Sequence, residues 1–188
     1  PISLTSTVCK AVERLIKNRV QDFLERNDLL AREQAGYRTA RCVDEHCVRL
    51  AQHVHDGLRQ KQHTVLLSVD ATAAFDRMVK ERLYDKMRRK GLPAPVVEWF
   101  RAFLTDRRAR ARVDHATSRF YCFHEGCPQG TILGPLCWLV FIDDLQERLA
   151  AVGGELFMYA DDVCILFQGP VLADQYAKAQ RALDALRP

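Results

Sequence analysis

The sequence has no apolar run long enough to cross a bilayer. In its 188 residues the longest one, from Ile132 to Ile142, is interrupted by Gly134 and Pro135, whereas a spanning helix needs about 20 residues. No internal repeat is present either. With 48% hydrophobic and 28% charged residues, the composition excludes disorder, collagen-like repeats and coiled coil as the dominant state. The length fits one domain or slightly more and allows a real core.

Cysteine pairs at zinc-binding spacing are also missing. The seven cysteines are odd in number and scattered, which is typical of reduced thiols in an intracellular protein rather than of a disulfide scaffold. Two loose clusters combine cysteine with histidine, one around Cys42 and Cys47 and one around Cys122 and Cys127. Neither contains a C-x₂-C pair, so the sequence does not predict a structural zinc site.

Positive charge is concentrated in the middle of the chain. The net charge of +4 is divided into +1 for residues 1–76, +8 for residues 77–119 and −5 for residues 120–188. Within the basic third, Arg108, Arg110 and Arg112 alternate with small or apolar residues. In a strand, their guanidinium groups would line one face. This pattern predicts either a surface that binds a polyanion or an edge strand protected by solvated charges.

The hydrophobic periodicity predicts an α+β fold with a largely antiparallel sheet, because helices and hairpins occur without regular βαβ alternation. The first predicted helix follows a cap among residues 5–7 and extends to about residue 26. Further predicted helices cover residues 44–57, 79–90, 95–105, 131–150 and about 171–183. Predicted strands cover residues 64–69, 108–113, 119–124, 155–159 and 163–167, and the first of these is expected to be buried.

Carboxylates stand at the ends of two apolar strands. Asp161 and Asp162 separate the last two predicted strands, and Asp70 directly follows the strand 64–69. An unpaired buried carboxylate costs several kcal/mol, so such acids must be solvated or must bind a cation. An ordinary acidic turn is one reading of Asp161 and Asp162. Three acids meeting at one edge would instead suit Mg²⁺ and two-metal phosphoryl transfer.

The motifs around these acids resemble those of reverse transcriptases of the non-LTR, LINE type. Residues 69–76 read VDATAAFD, residues 126–135 read GCPQGTILGP and residues 159–162 read YADD. Upstream, residues 1–4 read PISL, residues 13–16 read ERLI and residues 34–38 read QAGYR. The resemblance covers nearly the whole chain in order, and ingi-like elements are the subgroup that it suggests.

The resemblance implies roles for individual residues. Asp70, Asp161 and Asp162 would be the catalytic acids of a site for two Mg²⁺ ions, with Mn²⁺ as a substitute. Asp70 and Asp161 would bind both ions, and Asp162 would be the more weakly coupled third acid. Phe75 would stack under the incoming sugar and reject a 2′-hydroxyl, although core packing also explains it. The remaining implied contacts are Gln129 and Gly130 with the incoming nucleotide and the template base, and Arg38 with the triphosphate. The charge pattern, rather than the resemblance, assigns Arg108, Arg110 and Arg112 to nucleic acid.

The resemblance also implies a fingers and palm fragment with a small antiparallel palm sheet packed on helices. The fingers-side helices would cover about residues 1–63, and the palm about residues 64–188 with a fingers hairpin near residues 107–125. Since the chain starts with Pro1 and no thumb follows, we expect a segment of a longer polyprotein that carries a thumb and an endonuclease.

The function implied is RNA-directed DNA polymerisation with an RNA template, a DNA primer and dNTPs. No membrane partner is expected, and the place of action would be intracellular and nuclear. Two other readings stay open: a truncated or decayed domain that binds nucleic acid without catalysis, and a maturase of the group II intron type.

Overall fold

The computed structural model describes residues 3–71 and 73–186. Pro1 and Ile2 of the first motif, Thr72 of the VDATAAFD motif, and the last two residues lie outside the described part. The chain divides into two compact units, each built from two separate stretches of sequence. The hairpin unit comprises Pro1–Leu29 and Ala73–Phe141, and the sheet unit comprises Leu30–Thr72 and Ile142–Pro188. This division does not test the predicted bounds of the fingers and palm.

The elements follow one another in the order α1 (Thr7–Arg26), α2 (Val43–Arg59), β1 (His63–Asp70), α3 (Lys80–Arg89), α4 (Ala94–Leu104), β2 (Arg107–Ala109), β3 (Arg112–Val113), β4 (Ala116–Thr117), β5 (Tyr121–Phe123), α5 (Gly134–Ile142), α6 (Leu145–Ala150), β6 (Glu155–Tyr159), β7 (Asp162–Gly169) and α7 (Leu172–Leu186). The mixture of helices with small antiparallel sheets confirms the predicted α+β class. No helix in the described part of the chain is both long and apolar enough to span a membrane.

Helix α1 begins where the sequence predicts it. The Ser6 hydroxyl oxygen accepts a hydrogen bond from the Cys9 amide at 3.1 Å, which satisfies one of the unpaired donors at the helix start. Further along, Val20 and Leu24 are buried, as the 3.6-residue period requires. Local sequence signals therefore account for this helix.

The predicted helix 131–150 is wrong, because two helices are present instead. Helix α5 starts only at Gly134, whose amide donates to the Thr131 hydroxyl at 3.1 Å. It ends at Ile142, and α6 starts at Leu145. Between them, the Asp143 carboxylate accepts a hydrogen bond from the Ala31 amide at 2.6 Å. The break therefore places a carboxylate where a distant segment needs an acceptor.

The core of the sheet unit is a three-stranded antiparallel sheet in the order β1-β7-β6. One face of the sheet packs on α6 and α7, and its buried side chains include Leu156, Met158, Ile165 and Ala182. Since side chains alternate along a strand, Phe157 points to the other face, where His46 and His53 of α2 contact its ring. Helices therefore cover both faces of this sheet.

Strand β1 is less buried than predicted. It lies at the end of the strand order and alternates between half-buried and exposed side chains over most of its length. Leu66, for example, is 49% exposed. An apolar run alone does not distinguish a central strand from an edge strand, which explains the wrong prediction. The edge position leaves Asp70, the last residue of β1, exposed to solvent.

The hairpin unit contains α1, α3, α4, most of α5 and the four short strands. Helices α3 and α4 contribute buried side chains that include Leu83, Met87, Val97 and Phe100. Strand β2 pairs with β5, and β3 pairs with β4, so residues 107–123 form the predicted hairpin. We call these residues the arginine hairpin.

Candidate active site

The turn between β6 and β7, residues 159–162, carries two of the predicted acids. Tyr159 pairs with Asp162, so Ala160 and Asp161 form a two-residue loop. Ala160 has a φ of 58°, whereas the φ of Asp161 is not positive, and a positive φ at the first loop residue alone is typical of a type II′ turn. Because the β-carbon of an alanine disfavours this conformation, other contacts must stabilise what we call the acid turn.

Asp70 lies directly across the sheet from Asp162. The register of β1 and β7 pairs the two residues, which brings their β-carbons to within about 4.5–5.5 Å. Both side chains are exposed, and Asp161 beside them is half-buried. Like charges directly opposite each other destabilise a sheet. The fold therefore places two solvated carboxylates where a cation would relieve their repulsion.

The predicted metal ligands are brought together only in part. Within residues 3–71 and 73–186, no three His, Cys, Asp or Glu side chains are clustered closely enough to hold a metal ion. No ion pair of the described residues engages Asp70, Asp161 or Asp162. Their oxygens are the donor type that Mg²⁺ prefers. The pair of Asp70 and Asp162 therefore fits a cation, and the complete ligand set stays a prediction.

Residues 33–37, which we call the strap, pair with β6 beside the acid turn. The Met158 amide donates to the Glu33 carbonyl, and the Ala35 amide donates to the Met158 carbonyl, both at 2.9 Å. A β-carbon added to Gly36 would lie 2.0 Å from the Ala160 nitrogen. The strap backbone therefore approaches the acid turn so closely that only glycine fits at this position.

Two residues of the strap region bear on the predicted site. The Arg38 guanidinium, assigned to the triphosphate by resemblance, donates to the Ala31 carbonyl at 2.7 Å and to the Gln34 carbonyl at 3.4 Å. Here it stabilises its own loop. Tyr37 was not predicted as a site residue. Burial raises the pKa of its phenol, and the negative charge of the Asp161 carboxylate raises this pKa further.

Phe75 and the GCPQG segment lie in the hairpin unit. The Phe75 ring packs against the ring of Trp138 with 5.7 Å between their centroids, which confirms the core-packing reading and leaves its role at the sugar a prediction. Gly126 has a φ of 78°, and a β-carbon there would lie 2.6 Å from the carbonyl oxygens of Phe75 and Asp76. This contact fixes the GCPQG segment against the end of the VDATAAFD motif.

Gln129 and Gly130 are both exposed. The Gln129 carbonyl accepts a hydrogen bond from the Ser3 amide at 2.8 Å, and Gly130 has a φ of 94°. Glycine adopts such a φ freely, whereas residues with a β-carbon rarely do. The backbone therefore requires glycine at this position, and the predicted contact of both residues with a nucleotide stays untested.

Sequence reasoning missed a buried carboxylate in the hairpin unit. Glu13 of α1 is fully buried, and its carboxylate accepts hydrogen bonds from the amides of Ile132 at 2.7 Å and Leu133 at 3.2 Å. These amides precede α5, where free amide groups attract negative charge. Glu13 thus ties α1 to the segment that follows GCPQG. Its position in an otherwise apolar helix face was the available signal.

The arginine hairpin confirms the predicted pairing, but the predicted strands are broken: Arg110 and Ala111 lie between β2 and β3, and β5 covers only Tyr121–Phe123. Arg108 pairs with Cys122, whereas Arg112 pairs with Thr117, so the returning strand holds one extra residue between these pairs. Such a bulge bends and twists a hairpin. Arg108, Arg110 and Arg112 are all exposed, and the Arg110 guanidinium lies over the Phe120 ring, 5.3 Å from its centroid.

The fold and these motifs are those of the reverse transcriptase class. The family described as "Reverse transcriptase (RNA-dependent DNA polymerase)" matches residues 1–187, and the chain belongs to this family. Asp70, Asp161, Asp162 and Arg38 lie in the sheet unit, and Phe75, Gln129, Gly130 and the three arginines lie in the hairpin unit.

Three of the relatives come from mobile elements of flies. The chain is 34% identical over 172 residues to a probable RNA-directed DNA polymerase from transposon BS of Drosophila melanogaster, which covers 89% of this chain and 19% of the relative. It is 31% identical over 170 residues to the probable polymerase of the X-element of the same species, with the same coverage. It is 28% identical over 193 residues to the RNA-directed DNA polymerase of the mobile element jockey of Drosophila funebris, and the match covers 100% of this chain and 21% of the relative. These relatives confirm the LINE-type resemblance.

Among solved structures, two yeast telomerases share the fold. The chain matches apo telomerase of Candida tropicalis, truncated from the C-terminal domain, with a TM-score of 0.66 and 12% identity over 94% of this chain and 37% of that one. It also matches telomerase of Candida albicans in complex with a fragment of telomeric RNA. The TM-score is 0.58 and the identity 12%, and the match covers 95% of this chain and 31% of that one. The chain spans about a fifth of the length of its fly relatives.

Proposed function

We propose that this chain is the catalytic core of an RNA-directed DNA polymerase within a longer retrotransposon polypeptide. The observation that carries the proposal is the pairing of Asp70 with Asp162 across adjacent strands, next to Asp161 in a turn of reverse-transcriptase sequence. Ordinary sheets avoid like charges at such positions. Membership of the family and relatives named as RNA-directed DNA polymerases support this reading.

In the proposed reaction the 3′-hydroxyl of a primer attacks the α-phosphate of a dNTP in line, and pyrophosphate leaves. Asp70, Asp161 and Asp162 would hold Mg²⁺, or Mn²⁺ as a substitute. When bound, such ions lower the pKa of the attacking hydroxyl and stabilise the charge on the leaving group. The acid turn supplies two of the carboxylates from a fixed backbone, and positioning contributes much of the catalysis of phosphoryl transfer.

The proposed partners are an RNA template, a DNA primer and dNTPs. Arg108, Arg110 and Arg112 would contact nucleic-acid phosphates, since they are exposed and lie in the third of the chain with a net charge of +8. Arg38 would contact the triphosphate, and Gln129 and Gly130 would contact the incoming nucleotide. The thumb and endonuclease would lie in other parts of the polypeptide, and nuclear action is proposed by family resemblance.

Primer extension tests the proposal. The polypeptide that carries this chain is incubated with an RNA template, a DNA primer, dNTPs and Mg²⁺, beside a variant with both Asp161→Ala and Asp162→Ala. We expect incorporation by the unmodified protein and a loss of at least about 10³-fold in the variant. Equal incorporation by both proteins would refute catalysis at the acid turn. Binding of template without incorporation would instead identify the non-catalytic binding domain.

The role of Phe75 at the sugar has a separate test. We expect Phe75→Ala to lower the preference for dNTPs over ribonucleotides about tenfold or more, because a flat, rigid side chain no longer excludes the 2′-hydroxyl. Phe75→Tyr keeps the ring and should keep the preference. Unchanged discrimination in Phe75→Ala would leave Phe75 with its packing against Trp138 alone.

A further inference from the structure

The side chain of Gln34 contacts the backbone of the acid turn from both sides. Its amide nitrogen donates to the Ala160 carbonyl at 3.0 Å, and its amide oxygen accepts from the Ala160 amide at 2.9 Å. The same oxygen accepts from the Gly36 amide at 2.7 Å. One side chain therefore satisfies both polar groups of the residue that precedes Asp161.

These contacts are buried and long-range. Gln34 is 2% exposed and Ala160 is 7% exposed, and they are 126 positions apart in the sequence. Away from water, a backbone group that loses its partner is left unsatisfied, which costs far more than an exposed group would. The Ala160 amide and carbonyl are therefore both stabilised by buried hydrogen bonds to Gln34.

The geometry of the turn explains why such a contact is useful. Ala160 holds a φ of 58°, a conformation that alanine adopts only when its surroundings impose it. A primary amide presents a donor and an acceptor side by side, so it matches the N–H and C=O of a single residue. Gln34 can thus fix the orientation of the peptide groups that direct Asp161 and Asp162.

We propose that Gln34 is a positioning residue for the proposed polymerase, one that holds the acid turn in the conformation required for nucleotide transfer without touching the substrate. This inference rests on the proposed function. It extends that function to a residue of the strap, whose own backbone pairs with Met158 in β6. The expected signature is a defect in the rate of the chemical step rather than in substrate binding.

The test compares two substitutions that remove a buried amide of the same kind. Gln34→Met removes the contacts to Ala160 with little change of volume. Gln175→Met is the matched control, because Gln175 is also 2% exposed and lies in the same unit, but its amide donates at 3.2 Å to the carbonyl of Val171, the residue before α7. Both are made in the polypeptide that carries this chain.

Three measurements are made on each variant: single-turnover primer extension, binding of the template and primer, and hydrogen exchange at the Ala160 amide. For Gln34→Met we expect kcat to fall about 10- to 100-fold, the range produced by small misplacements of reacting groups. KM for dNTPs and the Kd for template and primer should stay within about twofold, since Gln34 is proposed to orient the acid turn and not to touch the substrate. Exchange at Ala160 should become at least about tenfold faster, since its acceptor is lost.

Each outcome has a distinct meaning. An unchanged kcat, an equal fall of kcat in Gln34→Met and Gln175→Met, or unchanged exchange at Ala160 would overturn the positioning role. If the unmodified polypeptide shows no primer extension at all, the proposed function fails instead. In that case faster exchange at Ala160 in Gln34→Met alone would still support the contact between Gln34 and the acid turn, so the two failures are distinguishable.

Discussion

The two hairpins of the molecule differ in the contacts that hold them in place. The hairpin of β6 and β7 has a two-residue turn, and the buried Gln34 amide forms hydrogen bonds with the backbone of this turn. Gly36 lies so close to the same turn that a β-carbon would not fit there. The arginine hairpin is exposed along most of its length and contains a bulge. One is fixed by surrounding structure, and the other is held mainly by its own strand pairs.

The difference corresponds to what each hairpin is proposed to do. Phosphoryl transfer requires carboxylates in a fixed geometry, and the acid turn is constrained by contacts from residues far away in sequence. Contact with a nucleic-acid backbone depends on charge and tolerates adjustment. A sparsely constrained surface of arginines is sufficient for that task.

The largest expected effect comes from a substitution in the strap. Gly36→Ala places a β-carbon 2.0 Å from the Ala160 nitrogen, so strap and turn must separate. We expect a loss of about 3 kcal/mol in the free energy of unfolding, at the upper end of the range for overpacking, together with loss of primer extension. Denaturant unfolding measures the first quantity.

The matched substitution in the arginine hairpin is Ser118→Ala. The Ser118 hydroxyl accepts from the Ala111 amide at 2.9 Å, but the site is exposed, so water can replace it. We expect a loss of no more than about 1 kcal/mol. Equal losses for Gly36→Ala and Ser118→Ala would contradict the difference drawn between the two hairpins.

The next effect concerns binding rather than stability. Replacement of Arg108, Arg110 and Arg112 by glutamine should weaken binding of single-stranded RNA about tenfold or more and lower the slope of log K against log salt by about 2, because three phosphate contacts are lost. Fluorescence anisotropy measures both the affinity and the slope when the salt concentration is varied from about 50 to about 200 mM, which includes the physiological value. An unchanged slope would identify these arginines as solvated edge charges.

A smaller effect is expected from the cross-strand acids. Asp162→Asn removes the repulsion with Asp70 and should raise the free energy of unfolding by about 0.2–1 kcal/mol in metal-free buffer, the range for directly opposed charges. The same substitution should abolish primer extension. Asp174→Asn, at an exposed position of α7 in the same unit, is the control. A loss of stability in Asp162→Asn would mean that the pair is not repulsive.

The smallest effect concerns Tyr37. Burial and then Asp161 raise the pKa of its phenol, so its contribution to stability is complete below the ordinary tyrosine pKa of about 10. That contribution is lost as the pH rises through the higher folded value. Asp161→Asn should lower the Tyr37 pKa but leave it above the ordinary value, because burial is the larger cause. Ultraviolet titration against a Tyr37→Phe variant tests this, and no change upon Asp161→Asn would exclude proximity.

Local signals allowed much of the fold to be predicted. The cap at Ser6 and the period of α1 are encoded within a few residues, and so are the paired strands around the acid turn. The helix predicted over residues 131–150 was wrong because its break depends on Asp143, whose hydrogen-bond partner is Ala31. A contact between residues 112 positions apart cannot be predicted from the local hydrophobic periodicity.

The candidate site shows the same division. Asp70, Asp161 and Asp162 could be selected from the apolar strands before them and from their motifs, but the register that pairs Asp70 with Asp162 is a property of the folded sheet. Gln34 was part of a motif used for the resemblance, yet nothing local indicates that its amide faces Ala160. Residues that act through distant backbone groups are therefore the ones that sequence reasoning misses.

The most direct test of the central claim is single-turnover nucleotide incorporation by the polypeptide that carries this chain, with Asp70→Asn, Asp162→Asn and Asp174→Asn compared under identical conditions. If Asp70 and Asp162 form one catalytic pair, each of their substitutions should lower the rate by at least about 10³-fold. A further variant that carries both Asp70→Asn and Asp162→Asn should lose little more than either single one. Asp174→Asn should match the unmodified protein. A rate in Asp70→Asn or Asp162→Asn within about tenfold of the rate of the unmodified protein would contradict the account. Such a small loss is less than the removal of electrostatic stabilisation produces.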